Sequence, residues 1–110
     1  MTLKEKKCTP CSGSMAALTS SEIAKLNAEV DNWQVEEGKR LRKNFRFNDF
    51  QQAMNLAERV AKIAEEENHH PDLHIRYGEL RVEIWTHAID ALTENDFILA
   101  SKIDQAAKVR

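Results

Sequence analysis

The sequence predicts an α+β domain in which three helices pack on one face of a four-stranded antiparallel sheet, in the order α-β-β-α-β-β-α. Two segments alternate apolar and polar residues on both sides of a glycine-containing turn, which is typical of β-hairpins. Three other segments carry apolar residues at helical spacing. The chain has 110 residues, which is enough for one domain with one modest core.

The three helices are predicted over residues 20–30, over residues 49–66 and from Thr93 onward. Thr19 and Glu22 have the spacing of a capping box before the first helix, and Asn48 suggests the cap of the second. Pro71 disfavours helical backbone at His70, so the second helix should end just before the histidine pair.

Each hairpin is predicted to have one buried and one solvated face. In the first hairpin, over residues 32–47, Leu41, Phe45 and Phe47 share one face beyond a turn at Gly38. The opposite face carries Arg40, Arg42, Asn44 and Arg46. A row of arginines could bind an anionic ligand, but we favour the solvated face of an antiparallel strand. In the second hairpin Leu80, Val82, Ile84 and Thr86 alternate with Arg81, Glu83, Trp85 and His87.

The chain is predicted to divide into a flexible N-terminal segment, residues 1–17, and a single domain, residues 18–110. Cys8 and Cys11 form a C-x-x-C motif within the flexible segment. A structural zinc site usually needs a second pair of ligands, and a redox motif normally opens a helix after a strand. We therefore favour two reduced thiols over zinc or disulfide chemistry.

The bulk composition excludes several classes of function. The net charge is −2 with a pI of about 6.1, which does not favour direct binding to nucleic acid or to an anionic membrane. No apolar run approaches the ~20 residues of a membrane helix. The N-terminal residues lack the apolar stretch of a secretory signal, so we expect a cytoplasmic protein.

All four histidines lie between residues 69 and 87, and three of them fall in the stretch NHHPDLH at residues 68–74. One interpretation is a metal site formed by His70, His74 and His87 with Asp72 nearby. It is weak, because the cluster lacks the helix placement of a strong H-x-x-x-H motif and the paired cysteines of other zinc motifs.

Proton transfer is the more natural interpretation of these histidines. Imidazole both donates and accepts protons near neutral pH. His87 has the strand parity opposite to Leu80, Val82 and Ile84, so it should point away from the helix-packed core. We favour acid–base work by His69, His70 and His87 and regard His74 as an idle surface residue.

These residues also carry a family resemblance. The pattern Glu65-x3-His69-His70-Pro71, followed by Tyr77, His87 and Asp96, resembles the signature of the pterin-4a-carbinolamine dehydratases. Trp33 and the stretches Phe45–Phe50 and Leu92–Phe97 extend the resemblance to about residues 18–106. One departure is Ala91, where the pattern leads us to expect a glycine, and it leaves the turn after His87 open.

The resemblance implies the same fold and a reaction that needs no metal or redox cofactor. The family removes water from 4a-hydroxytetrahydropterin, the adduct left by aromatic amino-acid hydroxylases, and so supports tetrahydropterin recycling. Carried over residue by residue, it implies three catalytic histidines and four pterin-flanking residues. These are His69, His70 and His87, and Pro71, Thr86, Ala88 and Ile89.

Two acids have a structural interpretation beside the functional one. Asp96 occupies the third position of a helix capped by Thr93, where an acid is favourable without any substrate, and we favour that structural role. Glu65 is expected either to support a histidine or to belong to a solvated helix surface.

The resemblance further implies a homodimer or homotetramer, and it leaves a non-enzymatic alternative: a module that binds a transcription factor or modulates hydroxylase expression.

Overall fold

The computed structural model describes residues 2–10 and 12–108. Within these residues it contains three α-helices, one short 3-10 helix at Leu3–Glu5, and one four-stranded antiparallel sheet. The helices are α1 (Ser20–Asn27), α2 (Phe50–Glu67) and α3 (Glu94–Ala107); the strands are β1 (Gln34–Glu36), β2 (Arg40–Arg46), β3 (Asp72–Arg76) and β4 (Glu79–Ile84). The predicted fold class and element order are confirmed.

The helices begin at side-chain caps. The capping box predicted for α1 is present: the Thr19 hydroxyl accepts from the Glu22 N–H, and the Glu22 carboxylate accepts from the Thr19 N–H. The cap predicted at Asn48 for α2 was wrong by one residue. The side chain of Asp49 accepts from the N–H of Gln52 at 2.8 Å. A carboxylate is a strong acceptor and also complements the positive N-terminal end of the helix dipole.

Helix α1 ends at Asn27, three residues before the predicted end at residue 30. The reason is local. The N–H groups of Glu29 and Val30 bond to carbonyls three residues back, at Leu26 and Asn27, which tightens the chain into turns. The side-chain amide of Asn27 then donates to the Trp33 carbonyl at 3.3 Å, so the chain reverses toward β1.

The sheet has the strand order β1-β2-β4-β3, so the two hairpins pair through β2 and β4. In this register Leu41 lies opposite Ile84, and Phe45 lies opposite Leu80. One face packs against the helices, and its central positions are fully buried: Leu41, Leu80, Val82 and Ile84 from the sheet, with Leu56, Val60, Phe97 and Ile103 from α2 and α3. The other face carries the predicted polar residues of β2.

Lys43 lies on the inner face of β2, opposite Val82. Its ammonium donates to the Oδ1 atom of Asp104 on α3 at 2.7 Å, and it also lies 5.7 Å from the ring of Trp33. The indole N–H of Trp33 donates to the same carboxylate, and so does the backbone N–H of Asp31 at 3.0 Å. A charged residue is therefore built into the helix-facing side of the sheet with its partner, a feature that the sequence analysis missed.

The N-terminal residues contact the domain. Leu3 is buried in the core, and the Leu18 N–H donates to the Leu92 carbonyl at 2.9 Å. The flexibility expected for residues 1–17 stays a prediction, and so does the chemistry of the C-x-x-C motif, since Cys11 lies outside the described residues. Across the part of the chain that the structure describes, no helix is both long and apolar enough to cross a membrane.

Candidate active site

The histidine pair follows directly from the way α2 ends. Asn68 adopts a left-handed conformation, φ 52°, and the N–H groups of Asn68 and His69 both bond to the Ala64 carbonyl. This arrangement satisfies the end of the helix and turns the chain sharply. His69 consequently enters the interior, with 5% exposure, whereas the side chain of His70 is 52% exposed. Pro71, which follows, is half-buried at the entry to β3.

The imidazole of His69 is held by a buried carboxylate. Its Nε2 atom lies 2.6 Å from Oδ1 of Asp96, which is 0% exposed. Which of the two groups donates in this hydrogen bond depends on the tautomer of the His69 ring. Oδ2 of Asp96 accepts from the Thr86 hydroxyl at 2.9 Å and from the Thr93 N–H at 2.8 Å. The carboxylate therefore touches three segments of the chain.

Asp96 both caps helix α3 and contacts His69, so the structural and the functional interpretation do not exclude each other. The capping box with Thr93 is present, as the structural interpretation predicts. The cap uses Oδ2, while Oδ1 faces His69. One carboxylate thus joins the N-terminus of α3 to the histidine pair at the C-terminus of α2.

The segment after β4 is a closed loop that displays His87. Thr86 and Ala91 form an isolated bridge, in which the Thr86 N–H donates to the Ala91 carbonyl at 2.9 Å. The positive φ that this loop needs, 48°, is adopted by Asp90. Ala91 is not among the residues with positive φ, so the loop closes without the glycine that the family pattern suggested.

The pterin-flanking residues expected on this loop differ in exposure. His87 and Ala88 are exposed, and Ile89 is half-buried. Thr86 is fully buried, and its hydroxyl is used by Asp96 and by the hydroxyl of Thr93 at 2.9 Å. The Thr86 side chain therefore holds the Asp96 carboxylate by a hydrogen bond and does not face solvent.

His87 belongs to a cluster of side chains on the outer face of the sheet. Its ring centroid lies 4.4 Å from that of Trp85, and the guanidinium of Arg40 lies 4.5 Å from the Trp85 ring. Arg40 also donates to the carboxylate of Asp90 at 3.0 Å, so it ties β2 to the loop that carries His87. The sequence analysis missed this role of Arg40 and Trp85. The sequence shows only that Arg40 and Trp85 both occupy positions of the outer sheet face. That the two side chains are neighbours depends on the register in which β2 pairs with β4.

The remaining two histidines have acidic partners on the surface. Nε2 of His70 lies 2.5 Å from Oε2 of Glu65, one turn earlier on α2, although both groups are largely exposed. Nε2 of His74 lies 3.1 Å from Oε1 of Glu83 on the outer face of the sheet. Over residues 2–10 and 12–108, no group of three or more histidine, cysteine, aspartate or glutamate residues is arranged to hold a metal ion.

Cavity volume does not identify this site. A cavity of about 450 Å³ lies between the 3-10 helix, the end of α1 and α3, and its walls include Asp31, Asp104 and Lys108. No histidine lines it. The candidate site is therefore defined by its hydrogen-bond chemistry and by the exposed imidazoles around it.

Comparisons with known proteins place the chain in one family. The sequence model of the family described as pterin 4 alpha carbinolamine dehydratase matches residues 16–106. The chain belongs to the pterin-4a-carbinolamine dehydratase family. The match includes every residue of the His69–Asp96 network and the His87 loop, and the resemblance inferred from the sequence is confirmed.

Relatives of the dehydratase family match nearly end to end. A provisionally named pterin-4-alpha-carbinolamine dehydratase from Rickettsia canadensis is 53% identical over 103 residues, covering 93% of this chain and 94% of the relative. One from Rubrobacter xylanophilus, also provisionally named, is 41% identical and covers 94% of this chain and 96% of the relative.

Two solved structures share the fold. A transcriptional coactivator/pterin dehydratase from Brucella melitensis superposes with a TM-score of 0.78 at 31% identity, covering 84% of this chain and 99% of that one. A pterin dehydratase-like protein described as a RuBisCO assembly factor in the alpha-carboxysome has a TM-score of 0.57 at 21% identity, with coverage of 69% and 87%. The second likeness concerns the fold alone.

Proposed function

We propose that the chain dehydrates 4a-hydroxytetrahydropterin to the quinonoid dihydropterin by proton transfer through imidazole side chains. One observation carries this proposal beyond family membership. The carboxylate of Asp96 is hydrogen-bonded to His69 and to Thr86, the chain neighbours of His70 and His87, so one buried network holds together the two segments that carry these exposed imidazoles. Two segments that are distant in sequence thus contribute proton-transfer groups to one locality.

The reaction requires a proton donor and a proton acceptor. The C4a–O bond of the substrate breaks, and the departing hydroxyl takes a proton and leaves as water. The ring N5–H gives up its proton, and its electron pair forms the C4a=N5 double bond. Nothing is oxidised or reduced overall, so positioned acids and bases suffice, and each such group typically accelerates a reaction by about 10²–10⁴-fold.

His70 and His87 are our first pair for the acid and the base, because both imidazoles are exposed and can reach a ligand. His69 is buried and held by Asp96, so it serves as the third, more rigid member of the site. Glu65 orients His70. Pro71, Ala88 and Ile89 are placed on the two segments that carry these histidines, and we assign them to the edges of the pterin site.

We extend the proposal to the cellular setting that this chemistry fits. The product is a quinonoid dihydropterin, which a reductase returns to the tetrahydro state, so the reaction would support pterin recycling for an aromatic amino-acid hydroxylase. We propose that the chain acts in the cytoplasm as a homodimer or homotetramer. The chemistry itself calls for no metal and no redox cofactor.

The test is the decay of chemically prepared 4a-hydroxytetrahydropterin, followed by ultraviolet absorbance with and without the purified protein. We expect wild type to accelerate the decay and the double variant His70→Ala/His87→Ala to lose at least about a hundredfold in rate. His74→Ala is the matched control, because it removes an imidazole that pairs with Glu83 outside the network. A wild-type protein without effect, or a double variant as fast as wild type, would refute the assignment.

A regulatory binding module is the second candidate. It is favoured by the Brucella melitensis structure, whose description joins a transcriptional coactivator to a pterin dehydratase at 31% identity. The two candidates separate in cells that lack the chain and receive the His70→Ala/His87→Ala variant. Restored hydroxylase transcript levels without dehydratase activity would support the regulatory candidate; loss of both would support the enzyme.

A further inference from the structure

The segment Leu3–Thr9, which we call the N-terminal strap, lies across the two helix ends that carry the candidate site. Leu3 anchors it in the core, and Lys6 pairs with Glu94 in the first turn of α3 at 2.9 Å. The match to the family model begins at residue 16, so the strap lies outside that match. The strap also contacts two buried polar residues, Glu67 and Asn95.

Glu67 is the last residue of α2 and lies two positions before His69. Its Oε1 atom accepts the Cys8 N–H of the strap at 2.9 Å, and its Oε2 atom accepts the ammonium of Lys102 on α3 at 2.7 Å. Burial acts to raise the pKa of Glu67, but the hydrogen bonds from Lys102 and from the Cys8 N–H outweigh it and hold the pKa below its usual value. The strap thus contacts an ionised carboxylate next to the histidine pair.

Asn95 performs the corresponding role on α3, immediately before Asp96. Its side-chain oxygen accepts the Thr9 N–H at 2.9 Å, and its side-chain amide donates to the Thr9 carbonyl at 2.8 Å. These two hydrogen bonds resemble the pair that a neighbouring β-strand makes with a backbone residue. Burial is the main cause that raises the pKa of the adjacent Cys8 thiol to about 12, so that thiol packs here as a neutral group.

We propose that the N-terminal strap is a positioning element of the candidate site and that Glu67 and Asn95 are positioning residues for the His69–Asp96 pair. The strap connects the residue before Asp96 to the end of the helix that precedes His69, so it fixes the separation of the imidazole and the carboxylate from outside. Proton transfer is sensitive to misplacements of about 1 Å, which can cost about a hundredfold in rate. The expected effect on rate rests on the proposed dehydratase function; the expected effect on His69 does not.

The test uses point variants of the full chain with three readouts. These are the unfolding temperature, the kcat and KM of dehydration, and the ¹⁵N NMR signals of the His69 ring, which report its tautomer and its bond to Asp96. We expect Asn95→Ala and Glu67→Ala to lower kcat about tenfold with KM within about twofold, and to shift or broaden the His69 signals. Glu67→Gln should restore part of kcat, because an amide oxygen still accepts the Cys8 N–H while the charge facing Lys102 is lost.

Trp33→Phe is the matched control. It removes a buried hydrogen bond to Asp104 and should lower the unfolding temperature while kcat and the His69 signals stay as in wild type. The proposal is overturned if folded Asn95→Ala and Glu67→Ala variants lose stability but keep wild-type kcat and His69 signals. If either alanine variant does not fold, the His69 signals of Glu67→Gln decide in the same way. If wild type has no dehydratase activity but these variants shift the His69 signals, the proposed function fails and the positioning role stands.

Discussion

Helix α3 carries two buried carboxylates with opposite kinds of partner. Asp96, near its start, is hydrogen-bonded to a histidine, a hydroxyl and a backbone N–H. Asp104, near its end, accepts from the ammonium of Lys43, the indole of Trp33 and a backbone N–H. Both carboxylates are hydrogen-bonded through both oxygens, but Asp96 faces an imidazole whereas Asp104 faces an ammonium and an indole.

The chemistry of the partner, rather than the degree of burial, distinguishes Asp104, a structural residue, from Asp96 at the candidate site. A lysine partner keeps its charge at neutral pH, so the pair with Asp104 is a fixed cross-link between β2 and α3. An imidazole is both a donor and an acceptor, and the proposed function therefore assigns the pair with Asp96 to the proton-transfer site. Burial alone would have ranked the two acids together, since Asp96 and Asp104 are 0% and 7% exposed.

The largest expected effect is on stability, at Asp104. Asp104→Ala leaves the half-buried ammonium of Lys43 without its carboxylate partner, and we expect a loss of about 3 kcal/mol in the free energy of unfolding. Urea denaturation measures it. Adding Lys43→Met removes the unpaired charge and should recover at least half of the loss. A single variant that loses less than about 1 kcal/mol would show that the pair is not a cross-link.

The second effect is on catalysis, at Asp96. In Asp96→Asn an NH2 group, which only donates hydrogen bonds, replaces one carboxylate oxygen. This NH2 group must face either the His69 ring or the Thr86 hydroxyl and the Thr93 N–H, which bond to an acceptor in wild type. We expect kcat to fall about a hundredfold. The matched control is Asp104→Asn, the same change on the same helix, whose kcat should stay within about twofold of wild type. Equal losses of kcat in the two variants would remove the distinction between the acids.

The smallest effect concerns Glu67, which resembles Asp104 in its lysine partner but lies beside the candidate site. Its pKa is lower in the folded chain than the ordinary 4.5, so its contribution to stability is fully present above about pH 4.5. The contribution is lost as the pH falls through the folded value. We expect Glu67→Gln to flatten the stability–pH curve below about pH 4.5. Urea midpoints at several pH values measure this, and parallel curves for variant and wild type would contradict it.

Much of the fold was predictable because its signals are local. Alternation with period two defines the inner positions of β4, and helical spacing defines the buried face of α2. The boundaries were less predictable. The end of α1 depends on hydrogen bonds three residues apart and on the contact of Asn27 with Trp33, and the cap of α2 depends on which of two adjacent polar residues takes the extended conformation.

The site was predictable as a set of residue types but not as an arrangement. The histidine pair with proline and the distant His87 identified the family, and Thr93 with Asp96 identified a cap. The second bond of Asp96, to His69, joins residues 27 positions apart. The stack of Arg40 on Trp85 beside His87 likewise joins two hairpins.

By itself, the sequence determined the element order, the buried face of each element, the cap of α3 and the family, since these depend on residues a few positions apart. Only the tertiary structure decided which oxygen of Asp96 meets His69, that Lys43 turns inward to Asp104, and that the N-terminal strap contacts Glu67 and Asn95. Those contacts depend on strand order, register and helix packing. No local pattern encodes them, because each is a property of two segments placed together by the whole fold.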